Sequence, residues 1–140
     1  MSWLIYALLS AFFAALTAIL AKIGVKNVDS NLATAIRTVI ILLFAWAIVF
    51  FQGSANQITE LSKFSIFFLV LSGIATGLSW LFYFRALQLG NASQVAPIDK
   101  LSIVLTLILS IFILKEKVTP SVIAGIILMV IGAVLVGLGR

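Results

Sequence analysis

The chain has 140 residues, 64% of them hydrophobic and only 9% charged, which makes lipid rather than water its solvent, because soluble domains carry roughly a quarter charged residues. Its formal net charge of +5 does not indicate a nucleic-acid partner, because the basic residues lie between and inside apolar runs. With no cysteine, no histidine and four carboxylates, we expect no metal site, no metalloenzyme and no cofactor.

Five apolar stretches are long enough to cross a bilayer, which takes about 20 mostly apolar residues. We therefore predict an all-α membrane protein that forms one domain over residues 1–140. The spans are expected at about 3–23, 31–51, 64–88, 92–114 and 119–139. The first has no basic residue ahead of it and no convincing small-residue cleavage site, so we interpret it as a retained helix rather than a signal peptide.

Small residues recur at four-residue spacing in the first, third and fifth spans. They are Ala7, Ala11 and Ala15, then Ser10, Ala14 and Ala18, then Gly73 and Gly77, then Ser121 and Gly125, then Ala133 and Gly137. This spacing lets helices approach closely in lipid, and in the fifth span it suggests a packing face, for which a dimer seam is one interpretation. For the first span the alternative is that alanine is simply common in membrane helices.

Three connections carry signals that start a helix. They are the run Asp29-Ser30-Asn31, the pair Asn91 and Gln94, and Thr119 followed by Pro120. Each places a capping side chain before an apolar run, and a proline suits the first helical position.

The second span carries Arg37 about two turns after its start, roughly 9 Å along the helix. An arginine at that depth either snorkels to the headgroups or faces inward as a functional group. Aromatic residues near the end of the third span, Trp80 and Tyr83, have a similar ambiguity. They belong either to the interfacial belt or to the wall of a cavity.

The fourth span contains Pro97 and then the adjacent charges of Asp99 and Lys100. The proline predicts a kink, and carbonyls freed at membrane depth are tolerated where they line a cavity. Asp99 is the only acid inside an apolar stretch, and such groups usually mark a pathway. We expect it to pair with Lys100 or with Arg37 on the neighbouring helix. Such a pair is either functional or purely structural.

Loop charges give no firm orientation. Five spans put the termini on opposite sides, and each side carries three loop or tail cations, which are Lys63, Lys115 and Lys117 against Lys22, Lys26 and Arg140. This balance fits a chain inserted in both directions, and the alternative is one orientation set by other features. In either case four ionisable groups with a net positive charge are expected toward one end of the bundle, at the opening of a cavity. They are Arg37, Arg85, Asp99 and Lys100.

The third to fifth spans carry an ordered series of motifs. An aromatic-rich helix ends in Ala86-Leu87, the next begins with Ala92 to Pro97 and ends near Glu116, and the last bears Gly125 and Gly132. Together they resemble the EamA-like drug/metabolite transporter family, in particular its short five-helix bacterial members.

The resemblance implies half of a transporter. Larger members have two five-helix repeats of opposite orientation, so a five-helix chain is expected to form a homodimer, most simply antiparallel, that works by alternating access around a central cavity. The expected function is transport of a small metabolite or amphipathic compound across the inner membrane of a bacterium or archaeon. Cavity-lining helices in the family correspond to the first, third and fourth here. The substrate-binding candidates are Trp80, Tyr83, Asp99 and Lys100, with Arg37 added from its depth.

The chain also departs from related proteins. More distant four-helix multidrug exporters couple to protons through a Glu in the first helix, and the first span here has no acid. Only Asp99 is placed to carry protons, and exchange without proton coupling fits at least as well. The alternative to a transporter is a non-transporting membrane subunit, or a flippase component that pairs with another short partner. An enzyme is not expected, because no nucleophile and base are seen together.

Overall fold

The structure, a computed structural model, describes residues 2–139, which are helical apart from short connections. The helices are α1 (Ser2–Gly24), α2 (Ser30–Phe51), α3 (Lys63–Leu89), α4 (Ala92–Asp99), α5 (Ser102–Phe112) and α6 (Pro120–Leu138), with a 3-10 helix at Ser54–Glu60. Five segments are long and apolar enough to cross a membrane, and α4 with α5 forms the fourth of them. The predicted all-α fold with five spans is confirmed. Arg140, counted above among the loop cations, lies outside the described residues.

Apolar side chains cover most of the surface of the isolated chain. Phe51 is 92% exposed, and Phe82 is 75% exposed. The residues that are buried are Ala18, Ala21, Val25, Phe84, Leu87 and Ala133, with the polar Ser30, Thr34 and Ser110. A continuous apolar surface of this kind is covered by lipid or by another membrane helix rather than by water.

Helices begin at all three predicted sites, but within the described residues Asp29 alone makes the side-chain capping bonds, and Thr119 and Asn91 make none. The Asp29 carboxylate caps α2 by accepting hydrogen bonds from the backbone N–H of Asn31 at 2.9 Å and of Leu32 at 3.0 Å. Pro120 opens α6 directly after Thr119, as predicted. Asn91 does precede α4, but within the described chain its side chain makes no capping bond to the backbone.

The fourth span is not one kinked helix but two. The helix continues through Pro97 to Asp99, and α5 begins at Ser102. At the break the backbone N–H groups of Lys100 and Leu101 bond three residues back, to Pro97 at 3.1 Å and to Ile98 at 3.0 Å. Proline has no N–H to donate, so the helix lacks one backbone hydrogen bond at Pro97. The tighter turn at Lys100 and Leu101 then separates α4 from α5.

The described residues form two compact units, unit 1 with residues 2–19 and 89–139, and unit 2 with Leu20–Gln88. In unit 1, α4 and α5 pack against α6. A Cβ added at Gly137 would lie 2.5 Å from Cδ1 and 2.9 Å from Cγ1 of Ile98, so a side chain at this position would force the Ile98 side chain to move. The Gln94 side chain adds a hydrogen bond from Nε2 to the Gly139 carbonyl at 2.5 Å. Gly137 thus has the packing role that its spacing predicted.

In unit 2, side-chain donors join the end of α1 to the end of α3. The Lys22 ammonium donates to the Leu87 carbonyl at 2.6 Å. Gln88 Nε2 donates to the carbonyls of Val25 at 3.2 Å and Val28 at 2.6 Å. Val25, Phe84 and Leu87 are nearly inaccessible beside these bonds. Lys22 thus satisfies a carbonyl in the last turn of α3, which has no partner within the helix, and Gln88 satisfies two carbonyls in the connection that follows α1.

Other small residues have no such neighbour. A Cβ at Gly73, Gly77, Gly125 or Gly132 would meet nothing within 4 Å in the described chain. In α1, Ala18 is buried while Ala7, Ala11, Ala14 and Ala15 are exposed. The packing faces predicted for α1 and α3 are therefore largely open in a single chain.

The longest connection folds back on the helix that precedes it. Gly53 adopts a left-handed conformation with φ of 67°, which a glycine reaches at low energetic cost, and the 3-10 helix then packs against α2. An open, mostly apolar cleft lies between them, lined by Leu42, Ala45, Trp46, Val49, Ser54, Gln57, Ile58 and Leu61.

Candidate functional site

A polar face runs along the first half of α2. Ser30, Thr34 and Arg37 are four and then three residues apart, which places them on one side of the helix. Ser30 is 3% exposed and Thr34 is 6% exposed, and the Thr34 hydroxyl donates to the Ser30 carbonyl at 2.8 Å. Arg37 is half-buried. A membrane helix with its most buried face polar is typical of a bundle with a polar interior.

The Arg37 guanidinium lies against two aromatic rings of α3. Its Cζ is 5.0 Å from the centre of the Trp80 ring and 4.8 Å from that of Phe84. Each such contact contributes about 0.5–2 kcal/mol, against about 2.5–3.5 kcal/mol for a charged side chain at mid-membrane on insertion scales. The two rings thus offset much of the burial cost. The Arg37 side chain therefore lies against α3 in the structure.

The rings attract the charge but do not satisfy its hydrogen bonds. A guanidinium has five N–H donors, and neither carboxylate of unit 2, Asp29 or Glu60, forms a salt bridge with Arg37. No hydrogen bond joins Arg37 to the described residues of this unit, and none of its nitrogens is both buried and unpaired. Its donors are therefore open to a ligand or to water.

Tyr83 and Phe84 complete the aromatic side of this site. Tyr83 is half-buried and lies edge-on to Phe84, with ring centres 6.2 Å apart. The structure thus brings two sequence-predicted residues of unit 2 into contact, Arg37 and Trp80, and the third, Tyr83, lies beside Phe84. Phe84 was missed by the sequence reasoning. It lies one turn after Trp80 on the same face of α3, which becomes informative only once α2 and α3 are placed side by side.

Asp99 and Lys100 lie at the break in the fourth span, in unit 1. Lys100 Nζ is 3.3 Å from Asp99 Oδ2, with side-chain exposures of 62% for Lys100 and 35% for Asp99. Of the two pairings expected for Asp99, the one with Lys100 is present.

The model of the EamA-like transporter family matches residues 1–138. The chain belongs to this family. The predicted resemblance is confirmed, and EamA-like membership makes the protein a multi-pass protein of the cell membrane and a member of a transporter family.

Two relatives are similar to the chain over most of its length. The chain is 50% identical over 134 residues to an uncharacterized transporter in the cobO 3′ region of a Sinorhizobium species, covering 96% of this chain and 95% of the relative. It is 29% identical over 107 residues to the uncharacterized protein MJ1333.1 of Methanocaldococcus jannaschii, covering 70% and 78% respectively. No solved structure matches the chain.

Proposed function

We propose that this EamA-like chain is half of a transporter, which carries a small metabolite or amphipathic compound across the inner membrane as an antiparallel homodimer. The substrate path is proposed to include Arg37, Trp80, Tyr83, Asp99 and Lys100. The observation that carries the proposal is the interruption of the fourth span at a charge pair.

The depth of the interruption is the first step. Asp99 lies seven residues after Ala92, roughly 11 Å along the helix, in a hydrocarbon core about 30 Å thick. Irregular backbone at such depth is tolerated where protein buries it or where it lines a water-filled cavity. Substrate and ion sites of secondary transporters typically lie at discontinuous helices of this kind.

A cavity at the break needs a wall that the isolated chain does not provide. Both members of the Asp99–Lys100 pair are partly exposed in the isolated chain, and charges of this kind are not stable against acyl chains. A second copy of the chain supplies the missing wall most simply. The open faces at Gly73 and Gly77 and the balanced loop charges are consistent with an antiparallel copy.

Transport is tested with the purified protein in proteoliposomes, by flux measurements across a panel of metabolites and amphipathic compounds. We expect flux of at least one compound. We expect Asp99→Asn to lower that flux at least about 10-fold while leaving the dimer population unchanged, since the loss of a charged partner is worth about 1.5–3 kcal/mol. The control is Glu60→Gln, which removes an exposed carboxylate from the connection after α2.

Two outcomes would contradict this proposal. Equal loss of flux and of dimer in Asp99→Asn would identify the pair as a structural contact. No flux from a folded dimer with any compound would favour a non-transporting subunit, or a flippase component that needs another short partner. Reporter fusions at the C-terminus test the antiparallel arrangement, because activity on both sides of the membrane is expected only for dual insertion.

A further inference from the structure

We infer that the transported compound carries a carboxylate or phosphate group, and that Arg37, held between Trp80 and Phe84, binds this oxyanion. The inference rests on the proposed function, because it names the chemical class of the cargo at one part of the proposed path. It assigns Arg37 a role distinct from that of the Asp99–Lys100 pair.

The charge balance within unit 2 favours an anionic ligand at Arg37. The Arg37 cation is half-buried in a membrane helix, and no salt bridge to a carboxylate of this unit neutralises it. Lys100, by contrast, has Asp99 3.3 Å away. A cation at membrane depth without a counter-ion is stabilised by an anionic ligand more strongly than by a neutral one.

The geometry of the Arg37 guanidinium also suits an oxyanion. Ring centres at 5.0 and 4.8 Å from Cζ attract the positive charge but provide no lone pairs for its N–H donors. These donors form a rigid planar fork that matches the two oxygens of a carboxylate or phosphate. The rings also restrict the side chain, so that less conformational entropy is lost when a ligand binds.

Buried residues and hydrogen bonds fix the helices that carry Arg37 and its aromatic neighbours. Ser30 and Thr34, on the same face as Arg37, are buried, and Phe84 is followed by the Gln88 bonds to the α1 connection. The groups on both sides of the guanidinium are therefore fixed before a ligand arrives. A site preorganised in this way is suited to recognition rather than to chance contact with headgroups.

A spectroscopic test uses Trp80 as the reporter. The chain has three tryptophans, so Trp3→Phe with Trp46→Phe leaves Trp80 alone. In phosphatidylcholine nanodiscs, titration with benzoate or phenyl phosphate is expected to change Trp80 emission saturably, and titration with the neutral isostere benzamide is not. Arg37→Gln should weaken benzoate binding at least about 10-fold.

Two further variants keep the result interpretable. Arg37→Lys retains the charge without the fork and should bind benzoate more weakly than the parent but better than Arg37→Gln, even if the glutamine variant folds poorly. Lys63→Gln removes an equal charge from an exposed position and should bind as the parent does. Equal responses to benzoate and benzamide, unchanged affinity in Arg37→Gln, or an equal loss in Lys63→Gln would each overturn the inference.

The source of the oxyanion is distinguished by the lipid. If phosphatidylglycerol in the nanodisc changes Trp80 emission and weakens benzoate binding in the parent but not in Arg37→Gln, the site takes a lipid headgroup. If phosphatidylglycerol has no effect, the site takes a soluble anion. Flux without oxyanion binding would overturn this inference alone, whereas oxyanion binding without flux of any compound would overturn the proposed function and leave the Arg37 site standing.

Discussion

The two units of the chain join their helices by different physical means. In unit 1 the fit is steric, because α4 approaches α6 where Gly137 has no side chain and Ile98 fills the space. In unit 2 the joint is polar, because Lys22 and Gln88 donate hydrogen bonds to carbonyls at the end of α3 and in the connection that follows α1. An atom added at the steric contact must displace the Ile98 side chain, whereas the polar contact is weakened when a hydrogen-bond donor is removed.

The difference also concerns the charged groups. Ile98 directly precedes Asp99, so the steric contact in unit 1 fixes α4 up to the break that carries the ion pair. Gln88 follows Phe84 by one turn, so the polar joint in unit 2 fixes the ring that contacts Arg37. Each charged group thus lies next to the joint of its own unit. A substitution that disturbs the joint is therefore expected to shift the position of the charged group as well.

The largest effect is expected for Gly137→Leu, which tests the steric joint. The first atom of the new side chain would lie 2.5 Å from Ile98 Cδ1, and overpacking of this kind typically costs about 1–3 kcal/mol and occasionally more. We expect a clear loss of thermal stability in detergent. Gly125→Leu on the same helix is the control, because a Cβ there meets nothing within 4 Å. A stability loss as large in Gly125→Leu would show that the joint is not at Gly137.

A smaller effect is expected for Gln88→Ala, which tests the polar joint. The substitution leaves the carbonyls of Val25 and Val28 without the donor they have in the structure, at about 1–3 kcal/mol if water does not replace it. Hydrogen exchange should rise in residues 20–29 and stay unchanged in residues 120–138. The control is Gln57→Ala, which alters an exposed amide in the 3-10 helix. Unchanged exchange in residues 20–29 would mean that Lys22 alone holds this joint.

Much of this fold could be predicted from the sequence. The number of membrane spans follows from hydropathy, because a span must satisfy its backbone within itself in lipid. The starts of α2 and α6 follow from Asp29 and from Pro120, which act locally. The break at Lys100 could not be placed in this way, because Pro97 specifies an interruption but the turn that completes it depends on the packing of α4 against α6.

The candidate site was only partly predictable, for a related reason. Arg37 and Trp80 were recognisable because a charge and an indole are rare in apolar stretches. Phe84 was not, since one more phenylalanine in a chain with 11 of them carries no signal until α2 and α3 are placed side by side. Spacing likewise showed that Gly73 and Gly137 were suited to close packing, but not which of them has a neighbour within the chain.

The smallest effect on the fold is expected for Gly73→Leu, at a position that belongs to neither joint. A Cβ there meets nothing within 4 Å, and substitutions away from packed groups usually change stability by less than about 0.5 kcal/mol. The effect should appear instead in association, as a several-fold shift toward monomer when the protein is diluted in detergent. Ala75→Leu adds a similar volume on nearly the opposite side of α3 and should leave association unchanged. If Gly73→Leu destabilised the monomer as strongly as Gly137→Leu, α3 would have a neighbour within the chain, and the face proposed for the second copy would be occupied already.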